Sequence, residues 1–434
     1  MNETVADRVD TAAGSLGRLL RCSEREATEG RKLDWTGILE LAGRQKLEPL
    51  LYHQLIRRVD KDRFPPSVIE HLRHAYYLGA DRNIRRYHRL QPLLARLRDK
   101  DIPVIALKGA CLAESVYPNI ALRPMSDVDL LIPKHELAKA RSVMVEAGCV
   151  HQPDADIDRL CRISHQLSVF IVREPADRTK SDRRSADPIN SFSLELHWTI
   201  ETPTGPFTIP VAGLWNRSRP TQVAGVEVLS LSPEDLLLHV CLHAGYHHGL
   251  GAGLLPCCDM AFIIERYRAE LDWPEVVRRA CEWGAARYVG LVLVLARDLL
   301  GADVPEGITD KLIGGTIDRR ITEAAQDCVL KGESCLRKKP TAIHVLLGNG
   351  SVKERLEVLR YRLSERGRRF RSAHKTINRY PVFRLGAWLL VPALLCRGTW
   401  RWILRPLLAR LLTPTNDRRK QLADWLNVRC RPWP

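Results

Sequence analysis

Arg123-Pro-Met-Ser-Asp-Val-Asp-Leu-Leu-Ile132 is the stretch on which the fold turns. Side chains alternate along a β-strand with a period of two, so a D-x-D read as a strand sets Asp127 and Asp129 on one face. Val128 and Leu130 then point the other way, toward a core. Two neighbouring carboxylates repel, and burying them without a partner is costly, so a divalent cation is their natural third party. The plainer alternative is a solvated turn ahead of an ordinary strand.

The flanks favour the first reading. Ile102-Pro-Val-Ile-Ala-Leu107 is a short apolar run with strand character, entered through a proline that cannot donate to a ladder. Lys108-Gly109 follows, and Ala110 to Tyr117 reads as two helical turns stopped by Pro118. A strand that turns through Lys-Gly into a helix gathers free backbone N–H groups and a cation at one spot, which suits a phosphate. Downstream, Ser193-Leu-Glu-Leu-His-Trp-Thr199 alternates again, with Glu195 and His197 on one face. A lone acid between leucines asks for a base or a metal, unless one of the many arginines pairs with it.

Together Lys108-Gly109, Arg123, Asp127-x-Asp129 and Glu195 resemble the DNA polymerase β-like nucleotidyltransferase superfamily. More narrowly, Leu-Lys-Gly, Tyr117-Pro, Arg123, Asp-Val-Asp-Leu-Leu-Ile and Glu-Leu-His-Trp resemble the bacterial uncharacterised nucleotidyltransferase family, over roughly residues 33 to 260. The resemblance implies an α/β (α+β) fold: a mixed-sheet core with helical flanks on both sides. It implies a metal triad of Asp127, Asp129 and Glu195, also the catalytic residues, around one or two Mg²⁺ ions. It implies an NTP substrate held by Lys108, Gly109, Arg123 and Ser126. Arg123 has a second reading, as a structural partner of Asp127. The chain departs from the superfamily's Gly-Gly or Gly-Ser turn by having Gly109-Ala110, so no hydroxyl is offered there and Lys108 is expected to take over phosphate binding. The expected activity is nucleotidyl transfer from an NTP to a small-molecule or peptidic acceptor. Two rivals stand beside it: a non-catalytic nucleotide-binding scaffold at a membrane surface, and an RNA-modifying nucleotidyltransferase.

The rest of the chain sets the frame. At 434 residues, with an ordinary apolar share, it is globular and long enough for two or three domains. Residues 1–98 read as helical, with Asp34 as an N-cap and a long helix from Pro66 to Leu97. The transferase core is expected over 99–200, with a helix from Lys134 to Ala147 stopped by Gly148, strands over 166–172 and 192–199, and a polar loop between them. Residues 201–375 read as mainly helical after an extended stretch at 223–231. There Ser232-Pro-Glu-Asp opens a helix on which His239, His243 and His247 share a face. Without an H-E-x-x-H these histidines read as a packing face rather than zinc ligands, lining an acceptor pocket with Asp259.

Charge is concentrated at one end. From Lys353 to Pro434 there are twenty Lys and Arg against five Asp and Glu, whereas the whole chain carries +16. A basic nucleic-acid face through the core is therefore not supported. Residues 376–434 interleave Trp388, Trp400, Trp402, Trp425 and Trp433 with Arg397, Arg401, Arg405 and Arg410. That pattern fits an anionic membrane surface, a helix docked on the protein's own core, or single-stranded RNA. Twelve cysteines lack metal-ligand spacing, and adjacent Cys257-Cys258 read as reduced thiols. No apolar run follows the polar first residues, so a cytoplasmic protein is expected, peripheral at the inner membrane face if the basic module binds lipid.

Overall fold

The computed structural model describes residues 5–21, 33–58, 61–151, 156–173, 191–203, 205–334 and 417–427. The polar loop expected before residue 191 and nearly all of the basic Trp/Arg module lie outside them.

The centre is a seven-stranded mixed sheet in the order β3-β4-β5-β2-β1-β7-β6. Its strands are β1 (Ile105–Leu107), β2 (Asp127–Leu131), β3 (Val150–His151), β4 (Phe170–Arg173), β5 (Ser191–His197), β6 (Arg219–Val223) and β7 (Val226–Ser230). β2 runs antiparallel to β1 and parallel to β5, in a register that sets Asp129 between Leu107 and Glu195. β4 is shorter than the apolar run that suggested it, and Gln166 contributes only an isolated bridge to His197. The extended stretch near residue 223 is a hairpin. Ala224 and Gly225, both at positive φ, form its two-residue turn, as a primed turn requires. β7 pairs with β1, so the sheet draws its last two strands from beyond residue 200.

The period-two pattern divides the sheet's two faces cleanly. Ala106, Val128, Leu130, Leu194 and Leu196 enter one buried cluster, with Leu90, Leu94 and Leu97 of α4 (Pro66–Arg98) and Ala140 and Met144 of α6 (Leu137–Glu146). Ile105, Leu107 and Leu131 enter a second, larger cluster on the opposite face. That cluster takes residues from α1 (Val5–Leu20), α2 (Trp35–Arg44) and α3 (Glu48–Ile56). It also takes residues from α9 (Pro233–Leu242), α10 (Leu255–Arg266), α11 (Trp273–Glu282), α12 (Ala286–Leu300), α13 (Ile308–Ile313) and α14 (Arg319–Lys331). The helices before and after the sheet therefore share one core. Two shorter helices complete the set up to residue 216: α7 (Ile157–Ile163) and α8 (Val211–Asn216). The helix α5 (Lys108–Ser115) follows β1 without a spacer.

Local signals explain the helix limits. Asp34 accepts from the Gly37 amide and Ser232 from the Asp235 amide, each satisfying an amide that the first helical turn leaves without a partner. Gly148, Gly301 and Gly332 take positive φ just past helix ends, where a Cβ would be strained. Beyond residue 334 the chain is described again at α15 (Asp417–Asn427). Leu422 and Leu426 of α15 are buried in the large cluster, and the Arg287 guanidinium lies 5.3 Å over the Trp425 ring while donating to its carbonyl at 2.9 Å. For this part of the terminal module, docking on the protein's own core is the observed arrangement. Among the described residues no helix is long and apolar enough to cross a membrane.

Candidate active site

The acids sit at the rim where β1 ends and β2 begins, on the face toward α9 and α10. Asp129 is 1 % exposed and its Oδ1 accepts two bonds, from Lys108 Nζ at 3.1 Å and from His197 Nε2 at 2.9 Å. Glu195, beside Asp129 in register, brings its Oε2 to 3.4 Å from the same His197 nitrogen. Ligand atoms of Asp129, Glu195 and His197 all lie within 4.8 Å of one another, the group of this kind found among the described residues. Burial alone opposes the charge on Asp129, but the Lys108 ammonium and the His197 bond outweigh it and hold the carboxyl well below its usual range. Burial likewise opposes protonation of His197, and its bonds to Asp129 and Glu195 reverse that and raise its proton affinity.

Lys108 owes its direction to backbone strain. It holds φ +45°, a left-handed conformation that costs a lysine on the order of 1 kcal/mol. The turn aims Nζ back across the strand ends onto Asp129 instead of outward. The ammonium expected at a phosphate is thus bonded to a carboxylate here. Gly109 is buried, and a Cβ there would stand 3.0 Å from Met125 Cγ, so this position is closed to any larger residue unless Met125 shifts.

Of the expected triad, the structure brings together Asp129 and Glu195. Asp127 stands on the same face but outside the 4.8 Å group, half-exposed, accepting from the Ser126 hydroxyl at 2.9 Å. Arg123, expected at a phosphate or against Asp127, makes its direct ion pair with Asp259 of α10. Its Nε and Nη2 form a fork on Asp259 of α10 at 2.6 and 2.8 Å, Nη1 donates to the Pro124 carbonyl, and the Tyr117 hydroxyl adds a 2.7 Å bond to the same carboxylate. The reason is geometric: Asp259 is buried and offers both oxygens to the planar fork. Asp259 therefore clamps the helical layer to the entry of β2. Removing one partner of such a buried pair leaves an uncompensated charge. Arg123→Ala is expected to cost about 3–5 kcal/mol of stability, read as a lowered urea midpoint.

Sequence reasoning placed His197 beside Glu195 but gave it no part in the site. It passed over His165 and Glu201 entirely. The wall facing the acids is lined by histidines. The His165 ring lies 5.2 Å from that of His197 and 5.6 Å from that of His247. His247 Nε2 approaches Glu201 Oε2 at 3.1 Å, at an angle that leaves this buried oxygen without a hydrogen bond. The expected face of three histidines is real, with ring separations of 6.5 Å from His239 to His243 and 5.8 Å from His243 to His247. His243–His247 is a π-helical turn, a widening that often accompanies functional sites. Burial, joined by neighbouring positive groups, pushes the His165 imidazole down to about 2 and those of His239 and His243 well below their ordinary range. Cys257 and Cys258 are buried, and burial pushes the Cys257 thiol up to about 12.

The donor chemistry fits a divalent cation. Asp127, Asp129 and Glu195 supply the hard oxygens that Mg²⁺ prefers, and His197 adds a nitrogen that first-row transition metals accept. A cation ligated by Asp129 would compete with Lys108 and His197 for one carboxylate.

No curated protein and no solved structure matches the chain. A family model does, over residues 31–301, which span α2 to the end of α12 and so include the whole sheet, the acid cluster and its histidine wall. The chain belongs to the uncharacterised nucleotidyltransferase family.

Proposed function

We propose that the protein transfers a nucleotidyl group from an NTP to a hydroxyl of a small-molecule or peptidic acceptor, with Mg²⁺ held by Asp127, Asp129 and Glu195. The observation that carries this reading is the convergence of Asp129, Glu195 and His197 at one sheet rim, in a family named for this chemistry. Bound there, the divalent cation would supply activation of the attacking hydroxyl and neutralisation of charge on the leaving pyrophosphate. The acceptor oxygen forms a bond to the α-phosphorus, the bond to the bridging α,β-oxygen breaks, pyrophosphate leaves and the hydroxyl proton is released. Glu195, less buried than Asp129, would receive that proton. Lys108, now bonded to Asp129, would be released by a cation on that carboxylate and could then offer its ammonium to the phosphates. Phosphoryl chemistry asks a protein mainly for positioning and electrostatics, so no separate nucleophile is needed. An intracellular setting rich in NTP and Mg²⁺ suits this reading.

Incubating the full chain with each α-labelled NTP and Mg²⁺ should release pyrophosphate and leave label on an acceptor or on the protein itself. Nucleotide binding with no pyrophosphate from any NTP, in Mg²⁺ or Mn²⁺, would leave a nucleotide-binding scaffold in its place.

A further inference from the structure

Arg82, Arg86 and Arg89 recur along α4 at spacings of four and three, which sets them on one helix face. The helix crosses the rim where β2 begins and is fastened there. Asn83 donates to the carbonyls of Ile120 and Arg123 at 2.6 and 3.0 Å, and the Tyr87 hydroxyl donates to the Ala110 carbonyl at 2.9 Å. The arginine face is therefore fixed relative to the D-x-D strand. Arg86 is partly buried, its Nε is enclosed without a hydrogen-bond partner, and its guanidinium makes one long bond, to Asn83 Oδ1 at 3.4 Å. Among the described residues neither Arg86 nor Arg82 has an ion-pair partner. The charges that reach Arg86 are those of Arg82 and Arg89, which oppose it, and Asp127, which supports it.

An enclosed cation crowded by like charges is costly unless an anion completes it. We propose that Arg82 and Arg86 form the seat for the triphosphate chain of the nucleotide, at the Asp127 side of the acid cluster. The proposal rests on the nucleotidyl-transfer reading and names how that substrate is held. Guanidinium forks bind phosphate oxygens in pairs, and a run of arginines along a helix matches a chain of phosphates better than a single anion. The seat also compensates for the absent hydroxyl at Ala110 and for Arg123, whose fork is committed to Asp259.

Titrating the full chain with inorganic tripolyphosphate in EDTA, by calorimetry, isolates this contact from metal binding. Arg82→Ala and Arg86→Met are each expected to weaken binding by about tenfold or more, the loss expected for a hydrogen bond to a charged group. Arg85→Ala, whose guanidinium pairs with Asp81 at 3.0 Å, should bind like the parent. Because Arg86 has no counter-ion to lose, Arg86→Met should keep the parent's thermal midpoint, so lost binding cannot be put down to misfolding. No tripolyphosphate binding by the parent, or equal affinity in all the variants, overturns the seat. Arginine-dependent binding in a chain that releases no pyrophosphate would keep the seat and remove the transferase. Transfer with an unchanged nucleotide KM in Arg82→Ala would do the reverse.

Discussion

Asp129→Asn is expected to lower nucleotidyl transfer by at least about 10³-fold, since a metal-bound carboxylate stabilises transition-state charge by several kcal/mol. The replacement keeps the shape and an acceptor oxygen but removes the charge that Lys108 and His197 share at 3.1 and 2.9 Å. The prediction therefore has a second readout that needs no substrate. His197 owes its raised proton affinity to Asp129 and Glu195 working against burial. Without Asp129 the burial contribution gains weight, and the imidazole should titrate at lower pH by NMR. A histidine whose folded pKa is raised stabilises fully below its unfolded value near 6.5, and loses that contribution as pH rises through the folded value. Asp129, with a depressed pKa, stabilises above its unfolded value near 3.9 and loses this as pH falls toward the folded one. Asp129→Asn should flatten stability against pH in both windows. Retained turnover in a folded Asp129→Asn protein would remove the metal assignment.

Mild acid should unfold the protein. His165, His239 and His243 stay neutral in the folded state because burial, assisted by nearby cations, disfavours their charged forms. Below pH 6.5 the unfolded chain takes up three protons that the folded chain refuses, so stability falls by up to about 4 kcal/mol per pH unit. By pH 5 the loss reaches about 6 kcal/mol, comparable to the whole stability of many domains. His197 adds little slope in the lower part of this window, where its unfolded form is protonated as well. Its own contribution fades above pH 6.5, so stability is expected to peak close to that value. Urea midpoints measured from pH 8 to 5 check this. His239→Leu should remove one proton's worth of the acid slope, about 1.4 kcal/mol per pH unit. A flat profile down to pH 5 would mean that the histidine wall is hydrated and titrates normally.

What the sequence disclosed, and what it hid, follows from the range of each interaction. Strand alternation is a local property, so the shared face of Asp127 and Asp129, and that of Glu195 and His197, could be read from single segments. The Gly-capped and Ser-capped helix ends were legible for the same reason. The neighbour of Arg123 was not, because Asp259 lies on a different helix and nothing near either residue announces the other. Lys108 illustrates a subtler limit. Its place at the strand–helix turn was visible, but its direction depends on a left-handed φ that a lysine rarely adopts. Asp127 and Asp129 look equivalent in sequence, yet the register beside Glu195 and the end of β1 buries one and leaves the other at the rim.

The return of the chain at α15 has a practical consequence. Arg419 meets Glu333 at 2.7 Å, so the residues on either side of 335–416 are anchored within one hydrogen bond of each other on the same helical layer. Deleting everything after residue 375 would strip Leu422 and Leu426 from the interior and confound any lipid or RNA measurement with partial unfolding. Cutting out 335–416 and splicing Ser334 to Asp417 through a short glycine-serine bridge keeps α15 packed against α14. The excised basic segment can then be assayed as a separate cargo, and the remaining body as an intact one.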